Sequence, residues 1–189
     1  MANLLIVGLG NIGLQYKLNR HNVGFIVLDY IASHFNFSFN EKFKGLTSKI
    51  TIKGVECVFL KPSTLMNRSG ASVLECANFY KIPLDDIIII HDDIDLPFAD
   101  IRYKVNSGSG GQNGIKDIIN VFGSKDFHRI KFGVGKPENS NIPIADYVLS
   151  NFTKDELIYV EEKAKLFIDN IDLLVNKNFT DFIKKLTTN

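Results

Sequence analysis

Asp85-Asp86-Ile87-Ile88-Ile89-Ile90-His91-Asp92-Asp93 is a short apolar run with two aspartates before it and a histidine and two aspartates after it. Its brevity and its β-branched side chains mark Ile87–Ile90 as a central strand buried on both faces. Such a strand needs partners and covering helices, and the flanking sequence supplies both. Upstream, Asn3 to Leu9 reads as a second buried strand that ends in a glycine turn. From Val23 the spacing of Val23, Ile26, Val27, Tyr30 and Ile31 is helical. Ser48–Ile52 and Val55–Leu60 flank Lys53-Gly54 as a hairpin, with Pro62 stopping the second strand. Ser69 to Tyr80 puts Val73, Leu74, Ala77 and Tyr80 on one helical face. Downstream, Ile101–Val105 alternates as a strand, and the glycine-rich stretch from Asn106 to Gly114 opens onto a helix from about Ile115 to Phe122. Arg129–Val134 is a further strand, and Lys154 to Leu186 is amphipathic helix broken near Asn176–Asn178. Strands alternating with helices predict an α/β fold, a single-domain sandwich with a mixed, mostly parallel central sheet flanked by helices.

The 189 residues suit one domain, 1–189, large enough for a substantial core. Hydrophobic residues at 45% and charged residues at 23% are ordinary globular values. A formal charge of +1 rules out a global positive field, although the 22 Lys and Arg are uneven enough for a local basic patch. Leu4-Leu5-Ile6-Val7 is broken by Gly8 and Gly10 with no basic segment before it, so it reads as a strand and not as a signal peptide. No apolar run approaches the ~20 residues of a membrane span. Cys57 and Cys76 have neither metal-ligand spacing nor a disulfide framework. These features point to a cytoplasmic protein with reduced, packed thiols.

Gly8-Leu9-Gly10-Asn11-Ile12-Gly13 matches the dinucleotide fingerprint G-x-G-x-x-G. That fingerprint works only where the third glycine opens a helix whose N-terminus holds pyrophosphate. No helical periodicity follows Gly13 until Val23, and Asp29 falls inside a helix and not at the end of a second strand. The turn is better read as a loop carrying Asn11 and Tyr16 into a crevice.

In open α/β sheets ligands collect beyond the carboxyl ends of the strands. The segments expected there contribute Asn11, Tyr16, His21, Asn67, Asp92, Asp93, Asp95 and Asn113. This inventory of amides and carboxylates suits proton transfer to water and amide recognition of a polar substrate. A carboxylate at the end of the central strand, with Asp92 the candidate, could hold one ring nitrogen of His21 and leave the other to take a proton. The competing reading of Asp92, Asp93 and Asp95 is a solvated acidic turn. A divalent cation held by His91, Asp92, Asp93 and Asp95 is a third, weakened because neighbours at a strand end point to opposite sides. There is no G-x-S-x-G elbow. The glycine loop offers backbone N–H groups to an anion, and Arg102, Lys104, Lys116, Lys125, Arg129, Lys131 and Lys136 could together bind phosphates.

Six blocks in order resemble bacterial-type peptidyl-tRNA hydrolase over nearly the whole chain. They are Val7-Gly8-Leu9-Gly10-Asn11 with Tyr16; Arg20-His21-Asn22-Val23-Gly24; Lys61-Pro62-Ser63-Thr64-Leu65-Met66-Asn67-Arg68-Ser69-Gly70; His91-Asp92-Asp93-Ile94-Asp95-Leu96-Pro97; Gly110-Gly111-Gln112-Asn113-Gly114-Ile115-Lys116-Asp117; and Phe127-His128-Arg129-Ile130-Lys131-Phe132-Gly133-Val134-Gly135. The resemblance implies hydrolysis of the ester between a peptide and the 3′ ribose of tRNA, with neither cofactor nor metal. It implies that His21 is the general base, oriented by Asp92. Asn11, Asn67 and Asn113 would bind substrate or place the water, and Tyr16 and Met66 would shape the pocket. Arg102 and Lys131 would hold tRNA phosphates, and the segment Pro143–Asn151 would form a lid. The partner implied is peptidyl-tRNA, with no membrane and no obligate protein partner, the enzyme working as a monomer. Ile12 stands where a proline is common, and Ser109 and Gln112 stand where many relatives carry His, or Gly and His. Gln112 cannot titrate and is left outside the catalytic set. Two rivals remain: a metal-dependent hydrolase built on Asp92–Asp95, which EDTA would silence, and a non-catalytic RNA-binding relative, which loss of His21 or Asp92 would have signalled.

Overall fold

The computed structural model describes residues 4–187, so Asn3, expected in the first strand, lies outside the described residues. The elements run β1 (Leu4–Gly8), α1 (Val23–Phe35), β2 (Asn40–Lys42), β3 (Gly45–Ile52), β4 (Val55–Pro62), α2 (Ser69–Tyr80) and β5 (Ile87–Asp93). They continue with β6 (Ile101–Lys104), α3 (Asn113–Phe122), β7 (His128–Gly133), α4 (Ile144–Val148), α5 (Lys154–Asp169), α6 (Ile171–Val175) and α7 (Phe179–Thr187). Among the described residues the strands form one sheet in the order β2-β3-β4-β1-β5-β7-β6. The inner strands β4, β1, β5 and β7 are parallel. The outer ones, β2, β3 and β6, are antiparallel to their neighbours. This is the mixed, mostly parallel sandwich that the pattern of elements predicts.

The isoleucine run shows why the middle of the sheet is so apolar. Ile88 and Ile90 point into the layer covered by α1, α5, α6 and α7, where Leu4 and Ile6 of β1 join them. Ile87 and Ile89 point into the opposite layer with Leu5 and Val7, beneath α2 and α3. All four isoleucines are fully buried, each worth about 1.5–3 kcal/mol of transfer free energy. A strand covered on both faces has no solvent side on which a polar residue could sit.

Several boundaries differ from the sequence reading, each for a local reason. The hairpin is longer than expected, from Gly45 paired with Pro62 to Ile52 paired with Val55; Pro62 is the last rung and not a stop before it. β5 runs three residues past its apolar part, because His91, Asp92 and Asp93 pair with Lys131, Phe132 and Gly133 of β7. The last helical stretch breaks at Asn170 as well as near Asn176–Asn178. α5 opens on a capping box in which Thr153 accepts from the Glu156 amide and Glu156 accepts from the Thr153 amide. No helix begins at Gly13: two single 3₁₀ turns, Leu14–Tyr16 and Arg20–Asn22, precede α1. Among the described residues no helix is long and apolar enough to cross a membrane.

Two glycines decide how closely α1 approaches the sheet. A Cβ on Gly24 would lie 2.4 Å from the Ile90 carbonyl oxygen, and one on Gly8 would lie 2.3 Å from the Gly24 carbonyl oxygen. Neither would fit without moving backbone. The first turn of α1 therefore rests directly on the carboxyl ends of β1 and β5, and the turn just before it is carried over the end of β5.

Candidate active site

That turn carries His21. Its Nδ1 lies 2.8 Å from Oδ2 of Asp92, and both side chains are buried. The two residues stand 71 positions apart in the chain. They meet because α1 is pressed onto β5 and because Asp92 follows Ile88 and Ile90 on the same side of the strand. With Nδ1 committed to the carboxylate, Nε2 is left as the ring nitrogen for a group in the cleft.

The cleft, of about 390 Å³, lies beyond the carboxyl ends of the central strands. Its lining includes Asn11, Tyr16, His21, Met66, Asn67, Asp92 and Asn113, so seven of the nine site residues expected from sequence converge there. Asn11 is held firmly: its backbone amide donates to Asn22 Oδ1 at 2.8 Å, and Asn22 Nδ2 donates back to its carbonyl at 2.8 Å. Asn11 Oδ1 accepts from the Met66 amide at 2.7 Å, which leaves Nδ2 as its spare donor. Asn67 lies in the turn that begins just after Leu65, whose φ of 60° and ψ of 161° are rare for a residue with a Cβ. Asn113 is the first residue of α3. Both side chains are exposed, and among the described residues neither amide has a partner.

The remaining two expected residues lie elsewhere. Arg102 and Lys131 face each other as cross-strand neighbours on β6 and β7. Arg102 is exposed and donates from Nε to Asp100 at 2.9 Å, whereas the ammonium of Lys131 pairs with Asp93. Burial pushes the Asp93 carboxyl up, but Lys131, the Asp95 amide and other positive charge together outweigh it and hold the group below the ordinary carboxylate range.

The acidic stretch does not converge. Asp92 meets His21, Asp93 meets Lys131, and Asp95 meets Lys136 at 2.7 Å. His91 turns inward, with Nδ1 2.7 Å from the Asp92 carbonyl oxygen and its pKa lowered to about 4, chiefly by burial. Among the described residues no group of three or more His, Cys, Asp or Glu is arranged to hold a metal ion.

Three contributors escaped the sequence reading. Gln112 donates from Nε2 to Asp92 Oδ1 at 3.0 Å, while its Oε1 caps α3 by accepting from the Ile115 amide at 2.8 Å. Asn22 clasps Asn11, as described, and its position beside His21 was the available signal. Arg20 ties the His21 turn to the opposite wall of the cleft, formed by Ile144, Ala145, Val148 and Leu149. Its guanidinium donates to Ser150 Oγ at 2.8 Å and to Asn151 O at 2.5 Å, grips both oxygens of Glu156, and stacks 4.6 Å from the Tyr147 ring. A buried Arg with so many partners is a fastening and not a free cation. A second buried arginine, Arg129, fastens the glycine loop by donating to Gly108 O at 2.9 Å and to Ser107 Oγ.

Residues 5–189 match the family model for peptidyl-tRNA hydrolase. A peptidyl-tRNA hydrolase of Rickettsia bellii (strain RML369-C) is 43% identical over 185 residues, covering 97% of this chain and 99% of its own. One of Bdellovibrio bacteriovorus is 44% identical over 185 residues, covering 97% of each. The crystal structure of peptidyl-tRNA hydrolase from Acinetobacter baumannii superposes with a TM-score of 0.90 at 32% identity, covering 100% of this chain and 96% of that one.

Proposed function

This chain belongs to the peptidyl-tRNA hydrolase family and is a hydrolase of that kind, and from that premise we propose that it cleaves the peptide–tRNA ester with His21 as general base and Asp92 as the residue that orients it. The observation that carries this reading is the 2.8 Å bond from His21 Nδ1 to Asp92 at the floor of a cleft lined with asparagines.

A water within reach of His21 Nε2 gives up a proton to the ring as its oxygen attacks the ester carbonyl carbon. The Asp92 carboxylate stabilises the imidazolium that results, without itself taking the proton. The carbonyl oxygen becomes an oxyanion, for which the spare Nδ2 of Asn11 and the unpartnered amides of Asn67 and Asn113 are the available donors. Collapse breaks the bond to the ribose oxygen, and the imidazolium returns its proton to that leaving group. The peptide departs as a carboxylic acid and the tRNA with a free hydroxyl. Tyr16 and Met66 shape the walls against the substrate.

Selectivity follows from the same amides. Asparagine both donates and accepts, so it matches the N–H and C=O of a peptide bond. A free α-ammonium in the same place would lose its water to groups that carry no countercharge. Arg102 and Lys131 are read as phosphate contacts for the tRNA, beyond the cleft proper. The reading is of a monomeric enzyme that meets its substrate in the cytoplasm.

The test compares N-acetyl-aminoacyl-tRNA with free aminoacyl-tRNA, using the native protein and His21→Ala. The native enzyme is expected to cleave the blocked ester selectively, and His21→Ala to lower kcat by on the order of 10²–10⁴. Near-native turnover by His21→Ala would overturn the assignment of the base.

A further inference from the structure

We propose that Gln112 is a positioning residue, one that locks the Asp92 carboxylate so that His21 is held in its working orientation. The inference rests on reading His21 and Asp92 as base and orienting acid. A carboxylate held by a single hydrogen bond is loose, because rotation about its last side-chain bond is soft. Asp92 is held by two. Oδ2 meets His21, and Oδ1 accepts from Gln112 Nε2 at 3.0 Å.

The clamp is itself fixed. Gln112 is buried, its Oε1 is occupied by the Ile115 amide at 2.8 Å, and its Nε2 lies 3.1 Å from Met66 Sδ. Its amide plane therefore cannot turn without uncapping α3. The same tie makes Asn113, the next residue, part of one rigid unit with the His21–Asp92 pair.

Neutrality matters as much as geometry. A Lys or Arg at this position would compete with the imidazolium for the charge of Asp92. The charged groups nearby are otherwise engaged. His91 and Asp93 flank Asp92 on β5; the first is bound to the Asp92 carbonyl, and the second is paired with Lys131 from β7. Arg129, also from β7, holds the glycine loop. Among the described residues, His21, from the turn before α1, and Gln112 are thus the groups that face the carboxylate.

Two substitutions separate this role from helix capping. Gln112→Ser keeps a good N-cap for α3 but is too short to reach Asp92. It is expected to remain folded at the assay temperature while kcat falls on the order of 10-fold and KM stays within about 2-fold, the scale of one lost hydrogen bond to a charged group. Gln112→Glu keeps both length and cap but sets a second carboxyl against Asp92. The pair then shares a proton at lower pH and repels at higher pH. Its kcat/KM should fall again as pH rises, giving a bell where the native profile climbs to a plateau. A native kcat in Gln112→Ser together with a native profile in Gln112→Glu would overturn the proposal. If Gln112→Ser unfolds, the Gln112→Glu profile decides alone: a bell sustains the clamp and a plateau rejects it. Either result leaves His21→Ala as the separate test of the base, so the two readings fail independently.

Discussion

Acid should act on this fold through His91. Its ring is 1% exposed and its Nε2 has no hydrogen-bond partner among the described residues. Burial, opposed by the neighbouring carboxylates, lowers its pKa from 6.5 to about 4. The folded state therefore binds the proton less readily than the unfolded state, whose histidine titrates normally. Stability is whole above pH ~6.5 and is lost progressively as pH falls towards ~4. At ~1.36 kcal/mol per pKa unit, the full loss is about 3 kcal/mol, of which roughly 2 kcal/mol is gone by pH ~5. That is a sizeable share of the ~5–15 kcal/mol that holds a typical domain together. The assay is denaturant unfolding at pH ~7.5 and ~5 on the native chain and on His91→Gln, which keeps a donor for the Asp92 carbonyl and does not titrate. Groups common to both proteins cancel in the double difference. The native chain should lose about 2 kcal/mol more than the variant between the two pH values. Equal losses would refute the reasoning, because His91 would then be charging without penalty or titrating outside this range.

Arg102→Ala should weaken tRNA binding at low salt and reduce the slope of log K against log salt by about 1, as measured by filter binding across a salt series; an unchanged slope would remove Arg102 from the phosphate footprint. Lys131→Ala should cost about 1–3 kcal/mol of stability even without tRNA, because it strands the buried Asp93 carboxylate, and Lys131→Arg should recover most of it in thermal unfolding. Gly24→Ala, whose methyl would sit 2.4 Å from the Ile90 carbonyl oxygen, should destabilise by about 3 kcal/mol or more; a near-native midpoint would show that α1 can retreat from the sheet.

The parts of the fold that were legible in sequence are those where burial imposes a pattern. Ile87–Ile90 announces a two-sided strand because water reaches neither face. β2 was invisible for the opposite reason: Asn40, Glu41 and Lys42 are exposed, and only pairing with β3 makes them a strand. The polar end of β5 is ambiguous in sequence, where an acidic turn competes with a strand end at Asp92 and Asp93, because nothing local distinguishes a charged strand end from a charged loop. α3 starts two residues earlier than its apolar periodicity, since its cap is a glutamine and not one of the usual short N-cap residues. His21 and Asp92 could be paired in advance through topology and resemblance to a family. Gln112 could not. It lacks a titratable group, and its role depends on the distance to Asp92 across the end of the sheet, which no spacing within the chain reports.

The alternation along β5 has a consequence for any preparation of this enzyme. Sliding β5 by one residue against β7 would offer Asp93 to His21 in place of Asp92, and would also turn Ile87 and Ile89 into the wrong layer of the core. The hydrophobic layers thus proofread the placement of the acid. A molecule with a misaligned carboxylate is also one with a ruined interior, destined for proteolysis or aggregation before it can persist as a well-folded dud. For an enzyme assembled this way, the fraction that is folded and the fraction that is competent are one quantity, and counting working sites counts native molecules.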